Sequence, residues 1–518
     1  MKNALDIKEV KITGENLMIE DVIAVARYKA KVIVPNEVFG RVQSNWNALE
    51  KMINDGKIMY GTNTGVGAFG NSILPTEKTI ELSYRMVRAH ASGVGNPVSE
   101  EISRACILLR MNVLAKGYSG VRPIILETMR DMLNKIVTPL ICEKGSVGTS
   151  GDLAPLAQMG LVVFGEGEAF FEGKRIPGLE AMKKAGVEPV KLMYREGLAL
   201  INGTQFTTAY ACFSIYEGER LIRNSEISGA MTIDALNCVE LAYDTRYHAL
   251  RPFKGQNDSA ENIRMLLEGS EILQQKKQNI QSAYSLRCSP QVVGACRDTL
   301  DFARKQVEIE INSCADNPLY FTKEEICLTG GNFHGEPVGI AMDALGIAMS
   351  EIANISERRT NNLLDPALSG GMPAFLVKGR EEDKGLNSGL MVAQYSQAAL
   401  VSENKILAHP ASVDSIPVSA NQEDHVSMGS IAAQKCLQII KNVQYVIAIE
   451  FFAASQAYEI RKPLKPSRAG ATALKIIREI VPIITEDREY YRDIEKIKGL
   501  ITGYEILWSV ENVVGKLK

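Results

Sequence analysis

The hydrophobic pattern of the chain changes near residue 205. Beyond it, three long stretches, "TTAYACFSIYEGERLIRNSEISGAMTIDAL", "EPVGIAMDALGIAMSEIANISERRTNNLLD" and "HVSMGSIAAQKCLQIIKNVQYVIAIEFFAASQAYEIR", are apolar on more than one face. A helix that is hydrophobic nearly all round has to be buried by other helices, so these stretches predict a central bundle of extended helices. Before residue 205 the pattern is interrupted often, at "YGTNTGVGAFGNS" (60–72), "ASGVGNP" (91–97) and "GYSGVRP" (117–123). Short helical patterns such as "EEISRACILLRMNVLAKG" (100–117) lie between, and short strands are expected near "IVTPLICEKG" and "KRIPGLEAM". The expected fold is mainly α, with a loop-rich N-terminal domain over 1–200 and a long-helix bundle domain over 201–518.

Composition narrows the function class more than the fold. Apolar residues are 46% and charged residues 23% of the 518, as in a soluble globular protein with a real core. A net charge of -3 leaves no electrostatic footprint for nucleic acid or an anionic membrane, and neither is expected as a partner. The opening "MKNALDIKEVKITGENL" has no apolar core of signal-peptide length. The longest apolar stretch, 443–458, carries Glu450 and is too short to span a bilayer, so it reads as a buried helix. Nine cysteines without a CxxC pair point to reduced thiols, used for core packing, in a cytoplasmic protein. The five histidines show no HExxH or comparable spacing, and no metal site is expected.

The segment 145–155, "GSVGTSGDLAP", asks for a chemical account. A P-loop needs a lysine after its glycines, and Lys144 precedes them. A dinucleotide site needs a preceding parallel strand and a later acid, and a Gly-x-Ser-x-Gly elbow does not fit the spacing. A plain flexible turn stays open. So does a third reading, in which the small, glycine-rich backbone reacts with itself. The Gly151 nitrogen reaches the Thr149 carbonyl because glycine lacks an obstructing Cβ. Loss of water closes a five-membered ring, and loss of the Ser150 hydroxyl leaves an exocyclic alkene, an electrophile that no ordinary side chain supplies.

"GSVGTSGDLAPLAQMG" is similar to the signature of the aromatic amino acid ammonia-lyase and aminomutase family, in which a triad, usually Ala-Ser-Gly, becomes 4-methylidene-imidazol-5-one. The resemblance runs through "YGTNTGVG" (60–67), "RAHASGVG" (88–95), "LALINGTQ" (198–205), "QSAYSLRCSPQVVG" (281–294), "DNPL" (316–319), "GGNFHGEP" (330–337), "DPALSGGMPAFL" (365–376) and "SENKILAHPASVDSIPVSANQEDHVSMG" (402–429). It is strongest to the branch that acts on histidine. The resemblance implies the ammonia-lyase and fumarase–aspartase type of helical architecture, a homotetramer whose sites each draw on three subunits, and an electrophile formed from Thr149, Ser150 and Gly151 with no metal or diffusible cofactor. The implied substrate is a small amino acid.

Residue roles carry over block by block. Tyr60 matches the base that takes the substrate's β-proton; a phenol titrates near 10, so its surroundings must assist it. Its bland alternative is a half-buried tyrosine in a turn. Gln281, Tyr284 and Arg287, at i, i+3 and i+6, are expected along one side of a helix. Tyr284 matches a second catalytic tyrosine, and Arg287 the carboxylate-holding arginine whose planar fork suits two oxygens. Asn202 matches a residue near the electrophile and the substrate amine or carboxylate, Phe333 a pocket aromatic, and Glu336 a neighbouring acid. His90 and Glu403 fall at the family's selectivity positions. A carboxylate facing a phenyl ring would be an unpaired buried charge, whereas an imidazole N–H satisfies it. A site built for such a hydrogen bond rejects analogues lacking it by roughly 10⁴–10⁵.

Two departures stand out: Thr149 replaces the usual alanine, adding a hydroxyl that needs a partner, and Val66 replaces a common phenylalanine in a glycine-rich loop suited to a lid. The expected activity is that of a histidine ammonia-lyase, elimination of ammonia from L-histidine to trans-urocanate. An aminomutase acting on histidine, tyrosine or phenylalanine, and a tyrosine or phenylalanine ammonia-lyase, are the alternatives. The fumarase–aspartase signature fails because Phe375 in "SGGMPAF" stands where its lysine should be. A non-enzymatic scaffold would be expected to lose the tyrosines, Arg287 and Ser150, all of which are present.

Overall fold

The computed structural model describes residues 3–377 and 385–518, and they are mostly helical. Two compact units share the chain in alternation. The first comprises Met1–Tyr216, Ala303–Asp343 and Pro410–Gln434; the second comprises Glu217–Phe302, Ala344–His409 and Lys435–Lys518. The change of character near residue 205 coincides with the start of the first long helix at Gln205, while the units themselves are interleaved rather than cut at residue 200.

In the first unit, α1 (Thr76–His90), α2 (Glu100–Ala115), α3 (Leu153–Val163) and α4 (Glu196–Ile201) are the helices that matter for the site. Helices α1, α3 and α4 all pack against one another. Gly197 permits the closest approach, since a Cβ there would lie 2.3 Å from the Ser83 carbonyl oxygen on α1. Five site residues thus sit at the ends of one packing: His90 closes α1, Asn202 follows α4, and Thr149, Ser150 and Gly151 precede α3. A second cluster of Trp46, Leu49, Met52, Met59, Tyr194 and Tyr320 anchors the segment leading into Tyr60. Trp46 and Tyr194 stack at 4.9 Å, and the Thr62 hydroxyl bonds the Tyr320 hydroxyl. Short strands appear where expected, at Thr138–Pro139, Cys142–Lys144 and Lys174–Pro177, in small antiparallel pairings.

The long helices are α5 (Gln205–Ala235), α6 (Ser289–Glu310), α7 (Glu336–Leu364), α8 (Met391–Leu407) and α9 (Gly429–Arg461). Within the second unit, α5, α7 and α9 share a buried polar knot. The Glu450 carboxylate accepts from Arg359, Ser356, Ser228 and Thr232. The apolar stretch 443–458 is part of the 33-residue α9, which by length and composition could cross a membrane, as could α7. Their most apolar windows are 78% and 72% buried inside the fold, as core helices are. The nine cysteines are all free thiols, five buried and four half-buried.

Candidate active site

The triad is positioned by hydrogen bonds from three directions. Gly335 N donates to Gly148 O at 3.0 Å and Met428 N to Val147 O at 2.9 Å. The Ser427 and Ser430 hydroxyls donate to Gly148 O (2.8 Å) and Ser146 O (2.7 Å). Just past the triad, the fully buried Asp152 accepts from Ser146 Oγ (2.6 Å), Thr207 N (2.8 Å) and Thr207 Oγ1 (2.9 Å). Burial pushes this carboxyl up, and the hydrogen bonds from Ser146 and Thr207 act in the opposite sense.

Gly151 takes a left-handed φ of 78° and forms a parallel bridge with Gly203. A Cβ there would come within 2.2–2.5 Å of the Gly203 backbone, so no other residue fits. The same lack of a Cβ is what closure of the Gly151 nitrogen onto the Thr149 carbonyl requires, and the triad therefore fits the implied 4-methylidene-imidazol-5-one. Asn202 Nδ2 donates to Ser150 O at 2.9 Å, and the Thr149 hydroxyl finds its partner in the His425 carbonyl at 3.3 Å.

Tyr60, His90, Thr149, Ser150, Asn202 and Phe333 all line one cavity of about 990 Å³ in the first unit. The Tyr60 hydroxyl oxygen accepts from Gly67 N–H at 2.7 Å, a bond that strengthens when the oxygen carries charge. Val66 lines the cavity too. His90 Nδ1 lies 2.7 Å from Met86 O. Since a carbonyl only accepts, Nδ1–H is the donor, and in the neutral ring Nε2 is then an acceptor. Asn202 Oδ1 is buried without a partner among the described residues, an acceptor waiting for a donor.

The remaining expected residues are not in this lining. Gln281, Tyr284, Arg287 and Glu403 belong to the second unit. Gln281 is also not on a helix with the other two: the helical turn spans only Tyr284–Arg287. Tertiary bonds hold the chain ahead of it, Val239 N–H donating to Ser282 Oγ at 3.0 Å. Arg287 stacks over the Tyr284 ring at 4.5 Å, and its Nε is buried without a hydrogen-bond partner among the described residues. Glu403 sits on the exposed side of α8.

The carboxylates that do line the cavity are Glu423 and Asp424, beside His425 and His334. Sequence reasoning missed them. Glu423 lies in the same 402–429 block as Glu403, and nothing local distinguishes the two. What separates them is conformation: Glu403 is on a helix, while Glu423 closes a tight loop. Val418 and Glu423 exchange backbone bonds of 2.9 and 3.3 Å, and Ser419, Ala420 and Asn421 between them are all left-handed (φ 54°, 52° and 63°). Three such non-glycine residues cost roughly 1–2 kcal/mol each, a strain of the kind that gathers at functional loops.

Comparison with known proteins adds the family. The family model described as aromatic amino acid lyase matches residues 17–479. A histidine ammonia-lyase of Caldanaerobacter subterraneus subsp. tengcongensis is 49% identical over 501 residues, 96% of this chain and 98% of that protein. Among solved structures, histidine ammonia-lyase from Trypanosoma cruzi superposes with a TM-score of 0.90 at 35% identity, covering 98% of this chain and 95% of that one. Tyrosine aminomutase from Streptomyces globisporus superposes at 0.94 with 36% identity, covering 98% and 100%. By sequence along nearly its whole length and by fold, the chain belongs to the aromatic amino acid lyase family.

Proposed function

We propose that this chain is a carbon–nitrogen lyase that eliminates ammonia from L-histidine to give trans-urocanate. The reading is carried by one observation: Tyr60, Ser150, the unpaired Asn202 Oδ1, His90 and Glu423 converge on a single cavity. The relatives named histidine ammonia-lyase support it. The electrophile formed from Thr149, Ser150 and Gly151 supplies an electron-poor alkene that draws density from the bound amino acid.

The chain's own residues do the rest. Tyr60, acting as its phenolate, takes the β-proton on its oxygen; the C–H electron pair becomes the new double bond, the C–N pair leaves with the substrate's ammonium nitrogen, and ammonia departs. Gly67 N–H aims at that oxygen. Asn202 Oδ1 accepts an N–H of the substrate amine. The Glu423 carboxylate accepts the single N–H of the neutral imidazole ring, and His90 lines the same cavity. The selectivity carboxylate is thus Glu423, in place of Glu403.

Gln281, Tyr284 and Arg287 bind the substrate carboxylate from another copy in a cytoplasmic homotetramer. Three features favour this: Arg287 Nε lacks a partner, Ile280 and Tyr284 are 95% and 72% exposed, and the cavity is larger than one amino acid fills. An aminomutase is the second reading, favoured by the 0.94 superposition on a tyrosine aminomutase and by Thr149 and Val66 at the cavity wall.

The test is to incubate purified protein with L-histidine and identify every product by mass and NMR. Equal urocanate and ammonia are expected, and Ser150→Ala should remove nearly all turnover with thermal unfolding unchanged. β-Histidine would establish the aminomutase instead. Turnover of tyrosine or phenylalanine alone, or normal activity in Ser150→Ala, would overturn the reading.

A further inference from the structure

Behind Asn202, three charged side chains are buried together. Arg110, Arg195 and Asp316 are shut off from solvent, and the two arginines share the one carboxylate. Arg110 Nη2 lies 3.0 Å from Asp316 Oδ2, and Arg195 Nη2 lies 2.9 Å from Oδ1. Two cations on one anion leave an excess positive charge without water, which is costly unless neighbouring dipoles take it up. Backbone carbonyls do so here. Arg195 Nη2 also donates to Pro318 O at 3.2 Å. Arg110 Nε donates to Ala199 O at 2.7 Å, and its Nη1 reaches Asn202 O (2.7 Å), Ala315 O (3.1 Å) and Gln205 Oε1 (3.1 Å).

These contacts fall on the backbone that faces the triad. Arg195 stands just ahead of α4 in a left-handed conformation, with φ 68°. Ala199 and Asn202 lie in and just after the last turn of α4, where carbonyls lack donors within the helix. Through its two arginines, Asp316 thus ties down both ends of α4. The residues that follow α4 are the ones the triad rests on. Asn202 Nδ2 donates to Ser150 O at 2.9 Å, Gly203 O accepts from Asp152 N at 2.7 Å, and Gly203 bridges Gly151. A Cβ on Gly203 would lie 2.5 Å from Arg110 Nη1 and 2.4 Å from Ala315 O. Gly203 is therefore in close contact with both Arg110 and Gly151.

Given an electrophile made from Thr149, Ser150 and Gly151, as proposed above, we infer that Arg110 is a positioning residue for its formation, holding Asn202 and Gly203 where the triad closes against them. In closure the Gly151 nitrogen bonds to the Thr149 carbonyl carbon. The carbonyl oxygen leaves as water with the hydrogens of the Ser150 and Gly151 nitrogens. The Ser150 hydroxyl then leaves as a second water with the Cα hydrogen of the same residue. Neither loss needs a co-reactant, but both need the chain to stay bent, and a backbone free to relax gives up the short nitrogen-to-carbon approach. A planar fork of five donors reaches the Ala199, Asn202 and Ala315 carbonyls while still pairing with Asp316. Lysine, with all its donors on one nitrogen, does not.

Arg104 supplies the comparison. It lies on the same helix, α2, is 2% exposed, and likewise donates to backbone carbonyls, those of Val25, Ala26 and Leu133 at 2.8–3.1 Å. None of these three residues lines the cavity. A general need for a buried arginine on α2 would show at both positions, whereas a role toward the triad shows only at Arg110.

The experiment weighs newly made full-length chains. Cell-free synthesis is stopped in acid at successive times, and intact-mass spectrometry counts the water lost per chain, a readout independent of turnover. The unmodified chain is expected to lose two water molecules. Arg110→Lys should do so roughly ten- to hundredfold more slowly, while Arg104→Lys keeps the unmodified rate, both with native circular dichroism. If Arg110→Lys does not fold, Gln205→Met decides, because it removes one acceptor of Arg110 and leaves every charge in place: a lag supports the inference, and the unmodified rate overturns it. Arg110→Lys closing as fast as the unmodified chain overturns it too. So does an equal lag in Arg104→Lys, which would mean that the packing of α2 alone sets the rate. An unmodified chain that keeps both waters overturns the proposed electrophile itself, and this inference with it.

Discussion

A carboxylate selects a substrate only where it faces a group that can pair with it. Glu403 and Glu423 belong to one sequence block, yet Glu423 alone lines the cavity. Glu423→Gln removes a charged hydrogen-bond acceptor, worth about 1.5–3 kcal/mol. It should lower kcat/KM for histidine by about 10- to 150-fold and lower any activity on tyrosine or phenylalanine much less. Competition assays with the three amino acids read this directly, and an equal loss on all three would remove Glu423 from its role. Tyr60, His90, Ser150, Asn202 and Phe333 were legible in the sequence because each sits in its own short block with its own chemistry. Glu423 was not, because the choice between two glutamates depends on which one the backbone turns inward.

At the scale of elements, the long helices follow from their hydrophobic pattern, and their register is held by buried charge. Glu450 and Arg359 are 0% and 1% exposed, and the carboxylate also accepts from three hydroxyls on α5 and α7. Removing one partner leaves the other charged and buried, which typically costs 3–5 kcal/mol. Glu450→Gln should therefore lose about that much stability, while the paired change Arg359→Met with Glu450→Leu should recover most of it. Thermal and denaturant unfolding of the three proteins would show the order; a single substitution as mild as the pair would mean the ion pair carries no such weight. A glutamate inside an apolar stretch could be read from sequence as a sign that the helix is not simply lipid-facing. Its arginine, 91 residues away, could not.

At the scale of the molecule, the residues expected at the site belong to both units: Tyr60 and Ser150 to one, Tyr284 and Arg287 to the other. If each site takes these halves from different copies, a mixture of Tyr60→Phe and Arg287→Ala chains contains sites with both wild-type residues. Co-expression should restore about a quarter of the normal activity by random assembly, although each variant alone is nearly inactive. Sites built within one chain would restore none, so the outcome separates the two arrangements.

The sequence by itself determined the family, the mainly helical fold, the long helices and the glycine-rich segment around Thr149–Gly151, because these rest on local properties: periodicity, glycine placement and short blocks of neighbouring residues. Only the tertiary structure decided which glutamate meets the cavity, that Asn202 keeps a buried acceptor unpaired, and that Thr149 finds a carbonyl for its hydroxyl. Each of these depends on loops far apart in the chain being brought within a few ångströms by the packing of helices beneath them. No local pattern encodes that distance.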